Sequence, residues 1–321
     1  MSTFRKKDLY LVSVGFLLSG VVQRLFKASS GFLLSRVGLW KRSPSVRNKL
    51  CNNHPCRCLN SRQDLDKLIY AQYSIENCCN GPRVPEFQEK NKFSERIGIL
   101  AERYCPALRD FTGEGGETTV LEIGCLTGGV SFELARSFQA VYACDESKEC
   151  INIAESIKKR GWIRCRLLCE SEIYEVSTAT VDTSIDRNRV SFALLNFKDI
   201  YGKSKVFNRQ SNFNCVLALC LTRLEDPGIL LGRLVDLVAP DGICLVGSTF
   251  EWHEGITPRD KWLGGYMEEN GTSVSNMHTV RAIMEKHFTL VHVEDIPFTI
   301  RESKRREIVT TYSVSVWKRQ R

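Results

Sequence analysis

Three absences narrow what this 321-residue chain can be. Its longest apolar run, residues 9–22 (LYLVSVGFLLSGVV), holds fourteen residues, short of the roughly 20 that span a bilayer as a helix. Its 14 cysteines include no pair of CxxC knuckles at zinc-finger spacing, so the sequence offers no structural zinc module. Acids are almost missing from residues 1–63, where Asp8 stands alone against 12 Lys and Arg. That leaves 33 of the 45 bases and 36 of the 37 acids for residues 64–321. The formal +8 therefore splits into +11 for an N-terminal arm and −3 for the body, and a net acidic body has no general attraction for nucleic acid.

The arm continues Ser-rich and basic through Ser29-Ser30, Arg36, Lys41-Arg42 and Ser45, with Arg5-Lys6-Lys7 before the apolar run and Arg24 and Lys27 after it. A signal h-region, a marginal membrane anchor and a mitochondrial transit peptide all share these features, and the Arg- and Ser-rich, acid-poor continuation favours the last. Residues 1–60 are set apart as a targeting or anchoring segment, with any membrane contact confined to residues 9–22. The expected location is intracellular, cytoplasmic or mitochondrial, with membrane anchoring as the alternative. Cys144, Cys215 and Cys244 lie inside apolar runs and read as reduced thiols packed as small hydrophobes. Cys51-Asn-Asn-His-Pro-Cys56-Arg-Cys58 and Cys78-Cys79 hold ligand-type residues, but no metal site is assigned.

In the body, residues 61–321, Leu65, Leu68, Ile69 and Tyr73, then Phe93, Ile97 and Leu100, recur at three- and four-residue spacing. This predicts two cover helices within residues 64–104, broken at Asn80-Gly81-Pro82. From Thr118 short apolar runs alternate with helical stretches, the pattern of a mostly parallel α/β sheet. Strands are expected at Thr118–Ile123, Ala140–Asp145, Val190–Asn196, Phe213–Leu219 and Gly242–Ser248. Helices are expected at about Gly129–Phe138, Lys148–Lys159 and Pro227–Val238. A polar insertion occupies about Tyr174–Asn188. Two final β-like runs, Phe288–Val293 and Thr311–Trp317, are expected to be joined by a long loop.

After the first strand comes Glu122-Ile-Gly124-Cys125-Leu126-Thr-Gly128-Gly129. Glycines in a strand-to-helix turn let backbone approach a ligand. Leu126 breaks the GxGxxG of nicotinamide and flavin sites. Asp145 closes the second strand about twenty residues on, where a ribose diol is bound. Glu122, two residues before the first glycine, suits a ligand with an α-ammonium group.

This constellation resembles the class I S-adenosylmethionine-dependent methyltransferases. The resemblance implies a Rossmann-like α/β fold with a seven-stranded, mostly parallel sheet in the order 3-2-1-4-5-7-6 and an antiparallel last strand. It implies S-adenosylmethionine as cofactor, with Gly124, Cys125 and Gly128 on its methionine and ribose part, Glu122 on its ammonium and Asp145 on its ribose hydroxyls. Asn196 matches the residue beside the adenine amino group, and Leu219 would line the cofactor. Further on, Ser248-Thr-Phe-Glu-Trp252-His253-Glu254-Gly-Ile-Thr257-Pro-Arg259-Asp-Lys-Trp262-Leu-Gly264-Gly265 is similar to the signature of the 4-mercaptohistidine N-methyltransferase family. Those proteins are the C-terminal methyl-transfer domain of ovothiol-synthesising enzymes. Ser131 to Arg136, Phe288 to Glu302 and the final Ser-Val-Trp317 support it.

Methyl transfer from a sulfonium is an in-line displacement whose leaving group is a neutral thioether, so positioning dominates. An imidazole with a pKa near ~6.5 is already largely neutral at physiological pH. A weak base that removes the proton left on the ring is the remaining need, and Glu254 and His253 are the candidates. Arg259 or Arg301 suits the carboxylate of an amino-acid-like substrate, and Trp252 and Trp262 suit its ring or the sulfonium. A methyltransferase with another small-molecule or protein acceptor, and a non-catalytic cofactor-binding scaffold, stay open. A nucleic-acid partner does not fit, because Leu219-Cys220-Leu221-Thr222 stands where base-flipping methyltransferases carry Asn/Asp-Pro-Pro-Tyr/Phe. The sequence leaves the oligomeric state open.

Overall fold

The computed structural model describes residues 61–76, 92–109, 116–200 and 212–321. The arm, the Cys51–Cys58 stretch, Cys78-Cys79 and the Asn80-Gly81-Pro82 break lie outside the described residues. The cover begins with α1 (Arg62–Gln72), capped by Ser61, whose hydroxyl accepts the Asp64 N–H at 3.1 Å. A short strand β1 (Ser74–Glu76) follows, then α2 (Phe93–Tyr104) and the single turn α3 (Pro106–Arg109). The apolar stripes that predict the two cover helices are buried, with Leu65, Leu68, Ile69, Phe93, Ile97 and Leu100 all in the core.

The sheet follows from runs apolar enough to be covered on both faces. These are β2 (Thr119–Ile123), β3 (Ala140–Asp145), β6 (Val190–Leu194), β7 (Phe213–Ala218) and β8 (Val238–Ser248). They lie in the order β6-β3-β2-β7-β8 and run parallel. Beyond β8 come β12 (Arg306–Arg319), antiparallel to its neighbours, and β11 (Phe288–Ser303) at the edge. This is the expected 3-2-1-4-5-7-6 arrangement with one antiparallel strand, the class I methyltransferase fold. Helix α4 (Gly129–Leu134) ends a turn before the expected Phe138, because the Ala135 N–H is shared between the Ser131 and Phe132 carbonyls at 3.2 and 3.1 Å. Helix α5 (Lys148–Arg160) has its boundaries written in the sequence. Ser147 caps it, Glu149 lies in its first turn, Lys158, Lys159 and Arg160 in its last, and Gly161 closes it at φ +82°. Helix α6 (Pro227–Leu237) starts on an Asp226 cap, and α7 (Asn276–Met284) precedes β11. Between them a two-stranded ribbon, β9 (Tyr266–Met267) and β10 (Ser273–Val274), closes the loop after β8.

Two expectations are corrected. The final strands are not joined by a long loop: pairing runs from Phe288↔Arg319 to Ser303↔Arg306. Pro297 sits within β11, which an edge strand permits because no ladder bond is needed on its outer side. The polar segment Tyr174–Asn188 is not a free-standing insertion either. Its first half belongs to β5 (Ile173–Thr180), which pairs antiparallel with β4 (Trp162–Glu170) and with β1 in a second, three-stranded sheet. Cys165, Leu167, Ser177 and Ala179 point inward, while Trp162, Ile173 and Val176 are exposed.

The nine described cysteines are all free thiols, eight of them buried. Among the described residues, no helix is long and apolar enough to cross a membrane, and no three His, Cys, Asp or Glu side chains converge as metal ligands.

Candidate functional site

Parallel strands end on one side of the sheet, and the turns that leave them build the site. The β2 turn is pinned to β3, with the Gly124 and Cys125 N–H groups both donating to the Cys144 carbonyl, at 2.8 and 3.0 Å. Gly124 and Gly128 take φ of +82° and +90°, the left-handed region that glycine enters freely. Leu126 adopts φ +52° without that freedom, and is held there by its own N–H, which donates to Asp145 Oδ2 at 2.9 Å. The cover clamps the same turn from outside. Gln72 Oε1 accepts both the Thr127 N–H at 3.0 Å and its hydroxyl at 2.5 Å, and the Tyr73 hydroxyl donates to the Thr127 carbonyl.

β2 and β3 pair Glu122 with Ala143 and Ile123 with Cys144, which puts Asp145 two residues beyond Glu122's partner, diagonally across the same face, where its charge acts on Glu122. Both are buried, and they are held in opposite ways. Burial pushes the Glu122 carboxyl up to about 7, against a donated bond from the Ser131 hydroxyl, and the Asp145 charge pushes it further. Burial pushes Asp145 the same way, but the Arg223 guanidinium and the Ser147 and Leu126 N–H groups outweigh it and hold Asp145 below the usual carboxylate range. The Arg223 pair is bidentate, Nη1 to Oδ2 at 3.0 Å and Nη2 to Oδ1 at 2.9 Å. Cys125 is fully buried, and its thiol is pushed well up, mainly by that burial, so it stays protonated.

The other predicted cofactor residues flank this pair. Asn196 lies at the end of β6, where the Leu195 N–H reaches the Asp145 carbonyl at 3.1 Å. It is exposed, and its Oδ1 accepts the Lys198 N–H at 2.9 Å. Leu219 is half-buried and packs against Gly247, where a Cβ would come within 2.6 Å of its Cδ2.

The predicted acceptor residues divide into two places. In the loop after β8, Trp252 donates from Nε1 to Asn276 Oδ1 at 2.6 Å, and Trp262 donates to the Thr257 carbonyl at 2.9 Å. The exposed Arg259 guanidinium lies 5.7 Å from the Trp262 ring centre. Glu254 is exposed, and His253 Nδ1 accepts the Gly255 N–H at 3.2 Å. Arg301 is elsewhere. It sits on β11 opposite Glu307, six residues along β12 from the Ser313↔Ser248 pair that marks the end of β8, or roughly 20 Å along the strand. It is buried against α1, with its guanidinium 5.5 Å from the Tyr70 ring centre.

Sequence reasoning missed Arg223, Gln72, Tyr73 and Ser131. A single arginine in a turn 78 residues from its partner carries no periodic signal. Ser131 is nine residues from Glu122, on the inner face of α4, and the turn-to-helix spacing could have found it.

Comparison with protein-family models gives no match, and comparison with curated proteins gives none either. Among solved structures, the chain is similar to the N-methyltransferase NodS of Bradyrhizobium japonicum WM9 in complex with S-adenosyl-L-homocysteine. Identity is 16% over 81% of this chain and 98% of that one, with a TM-score of 0.42. It is also similar to magnesium protoporphyrin IX methyltransferase (ChlM) of Synechocystis PCC 6803 with bound SAM, at 12% identity over 82% and 93% of the two chains and a TM-score of 0.45. The [4+2]-cyclase SpnF is similar at 12% identity over 80% and 93%, with a TM-score of 0.45. The fold assignment stands on the strand order itself.

Proposed function

We propose that the protein is an S-adenosylmethionine-dependent methyltransferase whose acceptor is the imidazole of a small thiohistidine-like amino acid. The observation that carries the reading is a pair of buried carboxylates, Glu122 and Asp145, on the same face of neighbouring strands, around a turn that places Gly124 and Gly128 in the left-handed region. The residue types at the turn suit the cofactor. Glu122 would take its ammonium, Asp145 its ribose diol, and Gly124, Cys125 and Gly128 its methionine and ribose part, with Asn196 and Leu219 flanking the adenosine. When bound, the cofactor supplies an electrophilic methyl on a sulfonium.

The chain's own residues do the positioning. Gln72 and Tyr73 hold the turn in place, and buried Ser131 orients Glu122. On the acceptor side, Trp252 and Trp262 are fixed by their indole bonds and offer ring faces to the imidazole. Arg259 offers a guanidinium to its carboxylate, while Arg301, buried against Tyr70 on the cover side, is set apart from that loop. Glu254 or His253 accepts the proton left on the ring after attack. The methyl-transfer unit is residues 61–321, and the basic arm, residues 1–60, serves targeting or anchoring.

One observation favours a non-catalytic reading: Asp145 has no exposed surface, and every one of its donors comes from the protein. A single experiment separates the possibilities. The full chain is mixed with methyl-labelled S-adenosylmethionine and, in parallel, with 4-mercaptohistidine, histidine and a cell extract. Label on the mercaptohistidine ring is the expected result. Label only on protein in the extract refutes the small-molecule acceptor. No label anywhere, with S-adenosylhomocysteine binding in calorimetry, leaves the cofactor-binding scaffold, and no binding at all removes the cofactor reading.

A further inference from the structure

We propose that Arg223 is a latch on the ribose acid: the cofactor enters only when this guanidinium leaves Asp145. The inference rests on the reading that Asp145 receives the ribose diol. A carboxylate offers about four lone-pair positions, and all four are filled. Oδ1 accepts the Ser147 N–H at 2.9 Å and Arg223 Nη2 at 2.9 Å. Oδ2 accepts the Leu126 N–H at 2.9 Å and Arg223 Nη1 at 3.0 Å. Two ribose hydroxyls would be a fifth and sixth donor. The backbone donors cannot leave without dismantling the glycine turn and the start of α5. The side-chain donors can, because Arg223 is a terminal fork with 13% of its side chain open to solvent.

The same turn also covers the other half of the ligand position. Arg223 closes a short 3-10 turn, Leu221–Arg223, that leaves β7 at Cys220. A Cβ built on Gly124 would meet Cys220 Cβ at 2.5 Å and Arg223 Nη1 at 3.6 Å. The residues of this turn therefore fill the space over the glycine where a ligand would approach the backbone. The guanidinium lies 6.0 Å from the centre of the buried Phe197 ring, beside Asn196. Departure of the guanidinium frees Asp145 and removes Arg223 Nη1 from above Gly124, while buried Cys220 and Leu221 keep the turn in place. Arg223 is a positioning residue, and the closed state lowers apparent cofactor affinity by the fraction of molecules that are open.

The test compares full-length wild type, Arg223→Gln, Arg223→Lys and Asp145→Ala, with S-adenosylhomocysteine as the probe. Calorimetry gives affinity, and stopped-flow tryptophan fluorescence gives the association rate. Arg223→Gln is expected to bind at least five-fold tighter than wild type and to associate faster. Arg223→Lys, which keeps the charge but loses the fork, should fall between them, and Asp145→Ala should bind at least ten-fold weaker. Weaker binding by a cooperatively melting Arg223→Gln overturns the latch while leaving the cofactor reading intact. If that variant does not fold, the wild-type complex decides. Its crystal structure is expected to show Arg223 off Asp145, and an intact bidentate pair overturns the proposal. Absence of binding in all four proteins removes the cofactor reading and the latch with it.

Discussion

On the β2–β3 side of the site, the carboxyls are buried and bonded within the protein: Glu122 and Asp145 are 3% and 0% exposed, Glu122 accepting the Ser131 hydroxyl and Asp145 the Arg223 fork. On the β8 side, Glu254 and Arg259 are exposed, and the ordered contacts are indole N–H bonds to Asn276 and Thr257. A side that keeps charge out of water is preorganised and costly to alter. A side that keeps it in water can be rebuilt for another acceptor with little effect on folding. The cofactor half should therefore respond to substitution in both stability and cofactor binding, and the acceptor half in the kinetics of the acceptor alone.

The strongest way to break this contrast is Asp145→Ala, which takes the carboxylate away from the Arg223 guanidinium and from two backbone N–H groups. Removing one partner of a buried pair costs about 3–5 kcal/mol, so the melting temperature should fall by roughly 10 °C. A fall of less than about 2 °C in scanning calorimetry would mean that the pair is not the buried contact described.

Glu122 comes next, and its effect depends on pH. Its folded-state pKa is raised from 4.5 to about 7 by burial, so between those values the folded protein binds the proton and the unfolded chain does not. Stability from this group is therefore fully present below about pH 4.5 and lost as pH rises to 7. At 1.36 kcal/mol per unit, Glu122→Gln should gain about 3 kcal/mol on wild type between pH 4.5 and 8 in denaturant titrations. A pH-independent difference would refute it. An ammonium ligand needs the ionised form, so wild-type affinity for S-adenosylhomocysteine should also weaken as pH falls below 7, and Glu122→Gln should flatten that profile.

Gln72→Ala tests whether the cover belongs to the cofactor half. It leaves the buried Thr127 N–H and hydroxyl without their acceptor, at about 1–3 kcal/mol. S-adenosylhomocysteine affinity should drop several-fold in calorimetry, because the glycine turn loses its outer clamp. Unchanged affinity would detach the cover from the site.

The same contrast explains what the sequence could reveal. Buried parallel strands are continuous apolar runs, so Thr119–Ile123 and Ala140–Asp145 declare themselves, and the glycine turn and Asp145 lie at their ends. The β4–β5 hairpin inverts the usual pattern: Ile173 and Val176 are 64% and 57% exposed while Ser177 is buried, so alternation read as polarity misleads. Pro297 reads as a breaker until its strand is known to be an edge. Arg223 is invisible for a different reason. Its role exists only where β2, β3 and β7 converge, and no local pattern encodes that meeting.

The smallest structural effect is expected at Arg259, and it sharpens the contrast from the acceptor side. Its guanidinium is exposed over the Trp262 ring, and a surface substitution away from buried networks stays within about 0.5 kcal/mol. Arg259→Ala should leave the melting temperature and S-adenosylhomocysteine affinity unchanged. Where the guanidinium holds the acceptor carboxylate bidentately, KM for the amino-acid acceptor rises by ten-fold or more, and Arg259→Lys recovers only part of it because the fork geometry is lost. If KM is unaltered while the acceptor lacking its carboxylate is methylated less well, the carboxylate is held elsewhere. Arg301→Ala is then the informative comparison. That residue is buried against Tyr70, so a rise in KM there should come with a loss of stability that Arg259→Ala does not show.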